Sequence, residues 1–591
     1  MTTRRVPMRF RWPEDTTFHQ VILDFEHRFC ITCDRPLYVC AHRHHRIFTL
    51  KGPVELLCRL VHCSDRDCTA RSHTLSPAIE LTYTLPGWLI GWDVFCWMGY
   101  RRFARHWSVP QIRADLRDTY RILLSADAIS VYLTRYQTMV AARQQDPHQL
   151  AKAYQGIDSV VLSIDGLQPE KGHETLYTVR ELNAKRVWFA EALLSSNQGE
   201  VRRLLVRARE WAKRLGKPIR LWLSDKQDAF VTGIKAEFSG VPHRYCVNHF
   251  LRDLAKPMLD ADSHAKVKMR RRVRGLRVIE REAIRRRKST NAKVETPEEV
   301  APSVFAKPAD STKATKSQRV NVAVKNRQTN REIVGTQACG ATAPNALDPA
   351  SQIVLDYCAV VRGILNDDQG GPLHPPGLRM AEALAEVRAS LSRNLKLNKP
   401  GPAHGQLERL AECIDRGLAE VKAQQQQLQE QVEAIRQVAA TLEESAGTLA
   451  KRRAKYKQLR QQYEKKSDEF YGHLSKLMLS FAAGLFVPVR TKRGEKMPSD
   501  NLDLERWFRK PKGHERRIHG HKHAGVRIVQ EGATLALVLD AHEGHSEPFT
   551  AEELLPYRDA EIPSAQQEAL QRRKIMRKSR SKKNDLSYYQ S

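Results

Sequence analysis

The sequence predicts a multidomain protein: an α/β core interrupted by a long α-helical, coiled-coil insertion and preceded by a cysteine-rich ribbon and a helical helix-turn-helix region. Three observations predict it. Two close cysteine pairs crowd the first 85 residues. Apolar strand-like runs and amphipathic helices alternate between residues 158 and 250. A Gln-, Glu- and Lys-rich stretch from Leu407 to Tyr463 then places Leu407, Leu410, Ile414, Val421, Leu428, Val432, Ile435, Leu442 and Leu449 at three- and four-residue steps.

The ribbon is expected over 1–85. Six of the eleven cysteines lie between Cys30 and Cys68. Thiols stay reduced inside cells, so the crowding points to a metal rather than to disulfides. Cys30 and Cys33 form one Cys-x2-Cys pair; Cys63 and Cys68 form a second, after the β-like run VELLCRLVHC. Four thiolates in two close pairs match a closed tetrahedral Zn2+ shell, a structural rather than a catalytic site. Cys40, His42, His44, His45 and Cys58 compete as ligands. The alternative is a group of unpaired cysteines beside basic residues.

The region 86–150 is expected to be a helix-turn-helix. Segments 108–120 and 125–143 are helical, with Ser108 and Ser125 as N-caps. Ile112, Leu116 and Ile122 fit the inner face of the first helix and turn; Ala128, Ile129 and Leu133 fit that of the second. In this motif the second helix enters the major groove, which makes Arg113 and Arg135 DNA-binding candidates. Paired amphipathic helices also occur in ordinary bundles. Charge favours the nucleic-acid reading: 98 Lys and Arg face 67 Asp and Glu, a net +31, and such a field draws polyanions.

The core is expected to begin at 151–260. Strands fall at 159–165, 176–182, 187–194, 219–225 and 243–247, with helices at 200–216 and 226–238. Asp165 ends SVVLSID and Asp225 ends IRLWLSD. An acid at the end of a buried strand is costly unless a cation compensates it. Two strands and a helix separate these acids, so they can lie side by side and bridge Mg2+ or Mn2+. Two such ions about 4 Å apart support phosphoryl transfer. A third ligand is expected from SDNLDLERWFRKPKGHERRIHG (499–520). There Leu504, Trp507 and Phe508 form a packing stripe bordered by Glu505, with Asp500 as cap and Pro511 as terminator. Arg506, Arg509, Arg516 and Arg517 are candidate phosphate contacts. The plain alternative for Glu505 is an ion pair with Arg509; Asp228 and Asp503 are competing acids.

The insertion is expected over 261–470. It opens with basic helical runs at 266–288, continues through a Lys-, Thr-, Ala- and Pro-rich segment at 289–347 that reads as disordered, and holds the coiled-coil stretch, a hairpin arm or dimer seam. Residues 471–530 return to the core, and 531–591 form a C-terminal region with a solvated basic tail at 569–583.

SVVLSIDG, LWLSDKQDAF, HRYCVNHFLRDLAKP and NLDLERWFRKPKGHERRIHG together resemble, in order, blocks of bacterial insertion-sequence transposases related to the Mutator-like group. That resemblance implies an RNase H-like catalytic core with Asp165, Asp225 and Glu505 as its acidic triad. It also maps a Cys-x2-His pair onto Cys246 and His249, for which orienting the active site, contacting DNA, or serving as a buried thiol and a core histidine stay open. It covers roughly residues 25–260 and 470–525. The gap from Asp225 to Glu505 is long, so Glu505 is assigned by its arginine-rich block rather than by spacing.

The expected activity is metal-dependent DNA cleavage followed by 3′-OH strand transfer, with two Mg2+ (or Mn2+) in the core and a structural Zn2+ in the ribbon. The expected partners are the element's terminal inverted repeats, target DNA and a second copy of the chain. Two rivals are an inactive, domesticated DNA-binding protein and an RNase H-like nuclease. No apolar leader follows the N-terminus, and the apolar stretch Trp88–Tyr100 is too short to span a bilayer and carries Asp93. A cytoplasmic, nucleoid-associated bacterial protein is expected.

Overall fold

A computed structural model describes residues 11–169, 174–294, 349–397, 400–489, 497–520 and 526–581. The chain divides into two compact units. One combines the residues up to Leu254 with those from Ala440 on; the other is Ala255–Ala439.

The first unit opens with a three-stranded sheet: β1 (His19–Leu23), β2 (Leu37–Thr49) and β3 (Gly52–Cys63), in the order β1-β3-β2. β2 and β3 form a long antiparallel hairpin in which Thr49 faces Gly52. Gly52 has φ +123, a conformation L side chains rarely adopt. Leu23, Ile47, Leu56 and Cys58 make the small core of this sheet.

Helices Trp92–Phe103, Val109–Tyr120 and Ala126–Gln144 follow. Ser108 and Gln111 form a capping box, and Ser125 accepts the Ala128 N–H. Arg121 ends the second helix at φ +56, and the Ile122 N–H returns to the Leu116 carbonyl. Ile112, Leu116, Ile122, Ile129 and Leu133 are buried. The C-terminal half of Ala126–Gln144 is buried too. It packs against Gly532–Ala541, and Gln137 donates to Thr534 Oγ1 at 2.6 Å.

The main sheet holds β4 (Val160–Leu167), β5 (Thr175–Glu181), β6 (Arg186–Leu193), β7 (Ile219–Ser224) and β8 (His243–Tyr245), ordered β6-β5-β4-β7-β8. β4, β5 and β6 are antiparallel; β7 and β8 run parallel to β4. Both faces are covered, which is why these strands read as nearly unbroken apolar runs. Val160, Leu162 and Ile164 face Val201, Leu204, Leu205 and Ala208 of helix Gln198–Leu215, which closes on Gly216 at φ +61. On the other face Leu176, Val187 and Ala190 share a core with Ile129, Leu504, Trp507 and Leu535. The helix-turn-helix region, the main sheet and the C-terminal region thus share one core rather than forming three.

Three expectations change. Pro511 does not end a helix: Leu502–Trp507 runs through Phe508 into Arg509–His519, and Pro511 falls in that second helix's first turn, where a missing N–H costs little. The stretch 407–463 is no single arm but helices Pro402–Ala419, Lys422–Leu442 and Leu449–Glu464. Leu407, Leu410 and Ile414 are buried in a helix packed against Pro376–Leu397 and Leu276–Val294 of its own chain. Leu449–Glu464 belongs to the first unit, where the buried Tyr456 hydroxyl donates to the Met478 carbonyl at 2.9 Å. The basic tail lies on helix Ser564–Ser581, with Gln566, Ala569 and Arg573 buried and Arg572 and Arg573 paired with Glu174. Residues 582 and 583 lie outside the described residues, as does nearly all of 289–347; 289–294 complete helix Leu276–Val294.

In the second unit, Asp262 is buried and its two carboxylate oxygens accept the N–H groups of Gly377 (2.6 Å) and Leu378 (2.8 Å). A Cβ at Gly377 would meet the Asp262 carbonyl oxygen at 2.6 Å, so glycine is required there.

Candidate metal centres

Alternation along β4 puts Val161, Ser163 and Asp165 on one face. The same rule puts Leu221, Leu223 and Asp225 together, and Val161, Leu221 and Leu223 do share a core with Met497. The parallel register pairs Ser163 with Leu223. Asp165 and Asp225 lie two residues further on, Asp165 inside β4 rather than at its end, since that strand continues to Leu167, and Asp225 just past the end of β7, so they are neighbours on the face that receives the 497–508 segment. Ser163 donates to Asn501 Oδ1 at 2.8 Å, which pins that segment to the sheet.

Glu505 arrives on helix Leu502–Trp507, with Leu504 and Trp507 buried beneath it. Its two carboxylate oxygens accept from Asn248 Nδ2 at 3.1 and 3.2 Å, and His249 Nδ1 lies 3.6 Å from Oε1. Among the described residues it makes no ion pair with Arg509. Asp503, one of the competing acids, instead faces Arg180, and Asp228 opens helix Asp228–Glu237.

Burial is the largest influence on Asp165 and pushes its carboxyl up to about 6; His249 opposes this, and Asp225 and Glu505 add to it. Burial also raises Asp225, against the Gln227 N–H and His249. One oxygen of each aspartate is used locally, Asp165 accepting from Gly166 (2.7 Å) and Asp225 from Gln227 (3.2 Å). These are all-oxygen donors at a partly negative site whose charge the fold itself disfavours. Such donors are of the type that hard divalent cations prefer, but the ligand atoms of Asp165, Asp225 and Glu505 do not all lie within 4.8 Å of one another.

Arg180 holds this arrangement from beneath. It is 1% exposed, on β5, and donates to Asp503 Oδ2 (2.7 Å) and Asp540 Oδ1 (2.8 Å). Asp540 also accepts the Val187 N–H at 2.9 Å. The Glu505 helix and helix Gly532–Ala541 are thereby tied to adjacent strands. Lys512 approaches from the following turn: burial and Arg516 lower its pKa, and Asp165 raises it. Arg180, Asn248, Asn501 and Lys512 were not singled out from sequence. A lone arginine inside the apolar run LYTVREL was the one available signal, since a buried arginine requires partners.

Cys246 follows β8, is buried, and its sulfur accepts the Asn501 N–H at 3.1 Å. Burial pushes its thiol up to about 12. The Cys246 N–H in turn reaches the Ser224 carbonyl at 2.7 Å, and the Val247 N–H reaches Ser499 at 3.0 Å. The Cys-x2-His pair therefore stitches together the end of β7, the start of helix Val247–Arg272 and the approach to Glu505.

The second centre is local. Cys30, Cys33, Cys63 and Cys68 place their sulfurs within 4.8 Å of one another and can hold a structural zinc ion. Cys30 and Cys33 sit on a tight turn closed by Asp34 N–H to Cys30 O (2.8 Å), with Asp34 at φ +55. Backbone N–H groups of Thr32 and Cys33 pull the Cys30 thiol down to about 6. The competing ligands are elsewhere: Cys40 is exposed on β2, Cys58 lies in the small core, His44 faces Glu55, and His45 bonds Glu80 and the Trp88 carbonyl.

Of the proposed DNA contacts, Arg113, Arg506, Arg509, Arg516 and Arg517 are exposed. Arg135 is half-buried and donates to the Ala560 carbonyl. Helix Ala126–Gln144 exposes Asp127, Ser130, Val131 and Thr134, with no lysine or arginine among them. None of the described helices is long and apolar enough to cross a membrane. No protein-family model matches this chain, and no curated protein matches it. What the site does is therefore a question for its own residues.

Proposed function

We propose that this protein is a DNA transposase of the acidic-triad type, related to the Mutator-like insertion-sequence enzymes, with an RNase H-like core. The observation that carries this reading is that His249, 3.6 Å from Glu505, acts electrostatically on both Asp165 and Asp225, and that Asp225 and Glu505 both act on Asp165, although these groups come from segments as much as 340 residues apart in sequence. The mixed sheet, three antiparallel strands followed by two parallel ones, supports the core assignment.

In this reading Asp165, Asp225 and Glu505 would hold divalent cations of the Mg2+ or Mn2+ type, whose chemistry would be to activate a water or 3′-hydroxyl and to stabilise the departing oxygen. The residues of the chain position the DNA. Asn248 fixes the plane of the Glu505 carboxylate. Lys512 brings a cation toward Asp165, and Arg506, Arg509, Arg516 and Arg517 offer exposed guanidinium groups for phosphates on either side of the scissile bond. The cysteine centre would hold a zinc ribbon whose strand β2 exposes His42, Arg43, His44 and Arg46 to a DNA backbone. The helix-turn-helix would add hydroxyl and methyl contacts from Ser130, Thr134 and Val131 rather than a basic grip. Joining two DNA ends calls for at least two copies of the chain.

The test is a strand-transfer assay with Mg2+ or Mn2+ on DNA bearing the sequences that flank the gene. Wild-type protein should cut at the ends and join them to target. Asp165→Asn, Asp225→Asn and Glu505→Gln should bind the same DNA and do neither. Joining by the Asp165→Asn and Asp225→Asn proteins would refute the triad. Cleavage of any RNA–DNA hybrid without end specificity would instead support the nuclease reading.

A further inference from the structure

Cys246, His249 and Glu505 form a second constellation that the acidic triad does not use in full. Each offers one ligand atom, and the three atoms lie within 4.8 Å of one another. Their chemistry differs from that of the aspartates: one sulfur, one imidazole nitrogen and one carboxylate oxygen. Sulfur and imidazole select borderline cations of the zinc type over magnesium.

Two further observations point to a ligand. His249 Nδ1 is shielded from solvent, has no hydrogen-bond partner, and is directed toward Glu505 Oε1 at 3.6 Å. That is long for a hydrogen bond and suits two atoms that share a cation. Cys246 sits at the head of helix Val247–Arg272 with its sulfur accepting the Asn501 N–H, and the N–H groups of Asn248 and His249 also act on it. Cys246 itself is buried, but the His249 and Glu505 side chains are each 25% exposed, which leaves an entry path.

We propose that Cys246, His249 and Glu505 form a binding site for a zinc-class divalent cation, distinct from the four-cysteine centre. Binding replaces the Cys246 S–H bond with a sulfur–metal bond, and the proton leaves to solvent. Three protein ligands leave a fourth position open. Because Glu505 serves both sets, an ion held here draws it from Asp165 and Asp225. This last consequence rests on the transposase reading; the site itself does not.

The experiment is zinc stoichiometry on the full-length protein by equilibrium dialysis, with Co2+ as a spectroscopic probe. Wild type should bind one equivalent more than His249→Ala or Cys246→Ser, and its Co2+ form should show additional sulfur-to-cobalt absorption. His249→Cys keeps a ligand at the position and should restore the equivalent, which separates ligation from a folding defect. Asp165→Asn should retain it, because that change touches only the oxygen site. Equal zinc content in wild type and His249→Ala would overturn the proposal. Such a result would leave the strand-transfer outcome, and so the transposase reading, unaffected.

Discussion

In the proposed reading, the four-cysteine centre and the acidic centre hold their metals in opposite ways. The first draws its ligands from Cys30 to Cys68, on two turns at one end of a hairpin. Its sulfurs need little from the rest of the molecule. The second takes one acid from β4, one from the end of β7 and one from a helix beginning at Leu502. It exists only because the sheet, the Cys246 stitch and Arg180 hold those pieces in place. A soft-donor centre can be built locally, since the metal supplies the folding energy. A hard-donor centre gathers like charges, so the fold must be formed before the cation arrives.

The largest effect should come from breaking the local centre. Structural zinc contributes about 10–16 kcal/mol of apparent binding energy in small zinc domains. Cys33→Ser or Cys63→Ser should therefore unfold the β1–β3 sheet, whose own core among the described residues is small: Leu23, Ile47, Leu56 and Cys58, with the partly buried Val21, Val54 and Leu60 packed against them. Limited proteolysis should then cut within residues 19–63 while the main sheet stays resistant. Chelation of wild-type protein should give the same pattern. If the main sheet were lost together with the ribbon, the two centres would not be independent.

Next is Arg180. Removing one partner of a buried ion pair costs about 3–5 kcal/mol, because the other charge is left without compensation. Arg180→Met leaves Asp540, itself 6% exposed, without its cation. The expected outcome is a loss of that size in urea denaturation, with the ribbon's zinc content unchanged. Arg180→Lys keeps the charge but cannot reach Asp503 and Asp540 with two arms, and should lose less.

How much of this could be read from the residues follows the same division. Cys30, Cys33, Cys63 and Cys68 are legible because their spacing is their geometry. Asp165 and Asp225 are legible because period-two alternation reveals shared faces, but the end of β4 is not: the strand runs past Asp165 to Leu167, paired with β5. The starts of β4 and β7 and the bounds of helices Val109–Tyr120 and Ala126–Gln144 follow from apolar pattern and serine caps. Long-range partners are not legible. Nothing local to Arg180 names Asp540, 360 residues away, and nothing local to Asn248 names Glu505. The apolar steps at Leu407, Leu410 and Ile414 show that a helix buries one face, but not whether the partner is another chain or the helices at 276–294 and 376–397. Gly532–Ala541 was hidden for a related reason: buried on all sides, it carries no amphipathic signal.

Asp165 tests the idea that the acidic centre is strained without its cation. Its pKa rises from the ordinary 3.8 to about 6, with burial the chief cause. Between those values the folded state binds more protons than the unfolded one, so this group's contribution to stability falls as pH rises from about 4 to about 6. Above pH 6 the metal-free protein carries the full penalty, on the order of 3 kcal/mol. Asp165→Asn should then be more stable than wild type at pH 7.5 without metal, and the gap should close near pH 4. Mg2+ should raise the melting temperature of wild type more than that of the variant. A variant less stable than wild type at pH 7.5 without metal would show that Asp165 is compensated from within the fold.

The smallest effect is the most discriminating. Asn248 donates to both oxygens of Glu505, at 3.1 and 3.2 Å, so it fixes the orientation of that carboxylate. Glu505 is 25% exposed, and water can replace the lost donor. Asn248→Ala should cost about 1 kcal/mol or less in stability. Groups that orient a metal ligand nonetheless affect metal affinity by about 10–100-fold. Calorimetric titration with Mn2+ should therefore show a clear loss of affinity in a protein that melts almost as wild type does. The cysteine centre offers no counterpart, since backbone N–H groups around Cys30 do this orienting and no side-chain substitution removes them. On the transposase reading, Glu505 is a ligand that returns to the site across 280 residues of chain and needs a dedicated side chain to set its plane, whereas one that sits on its own turn does not.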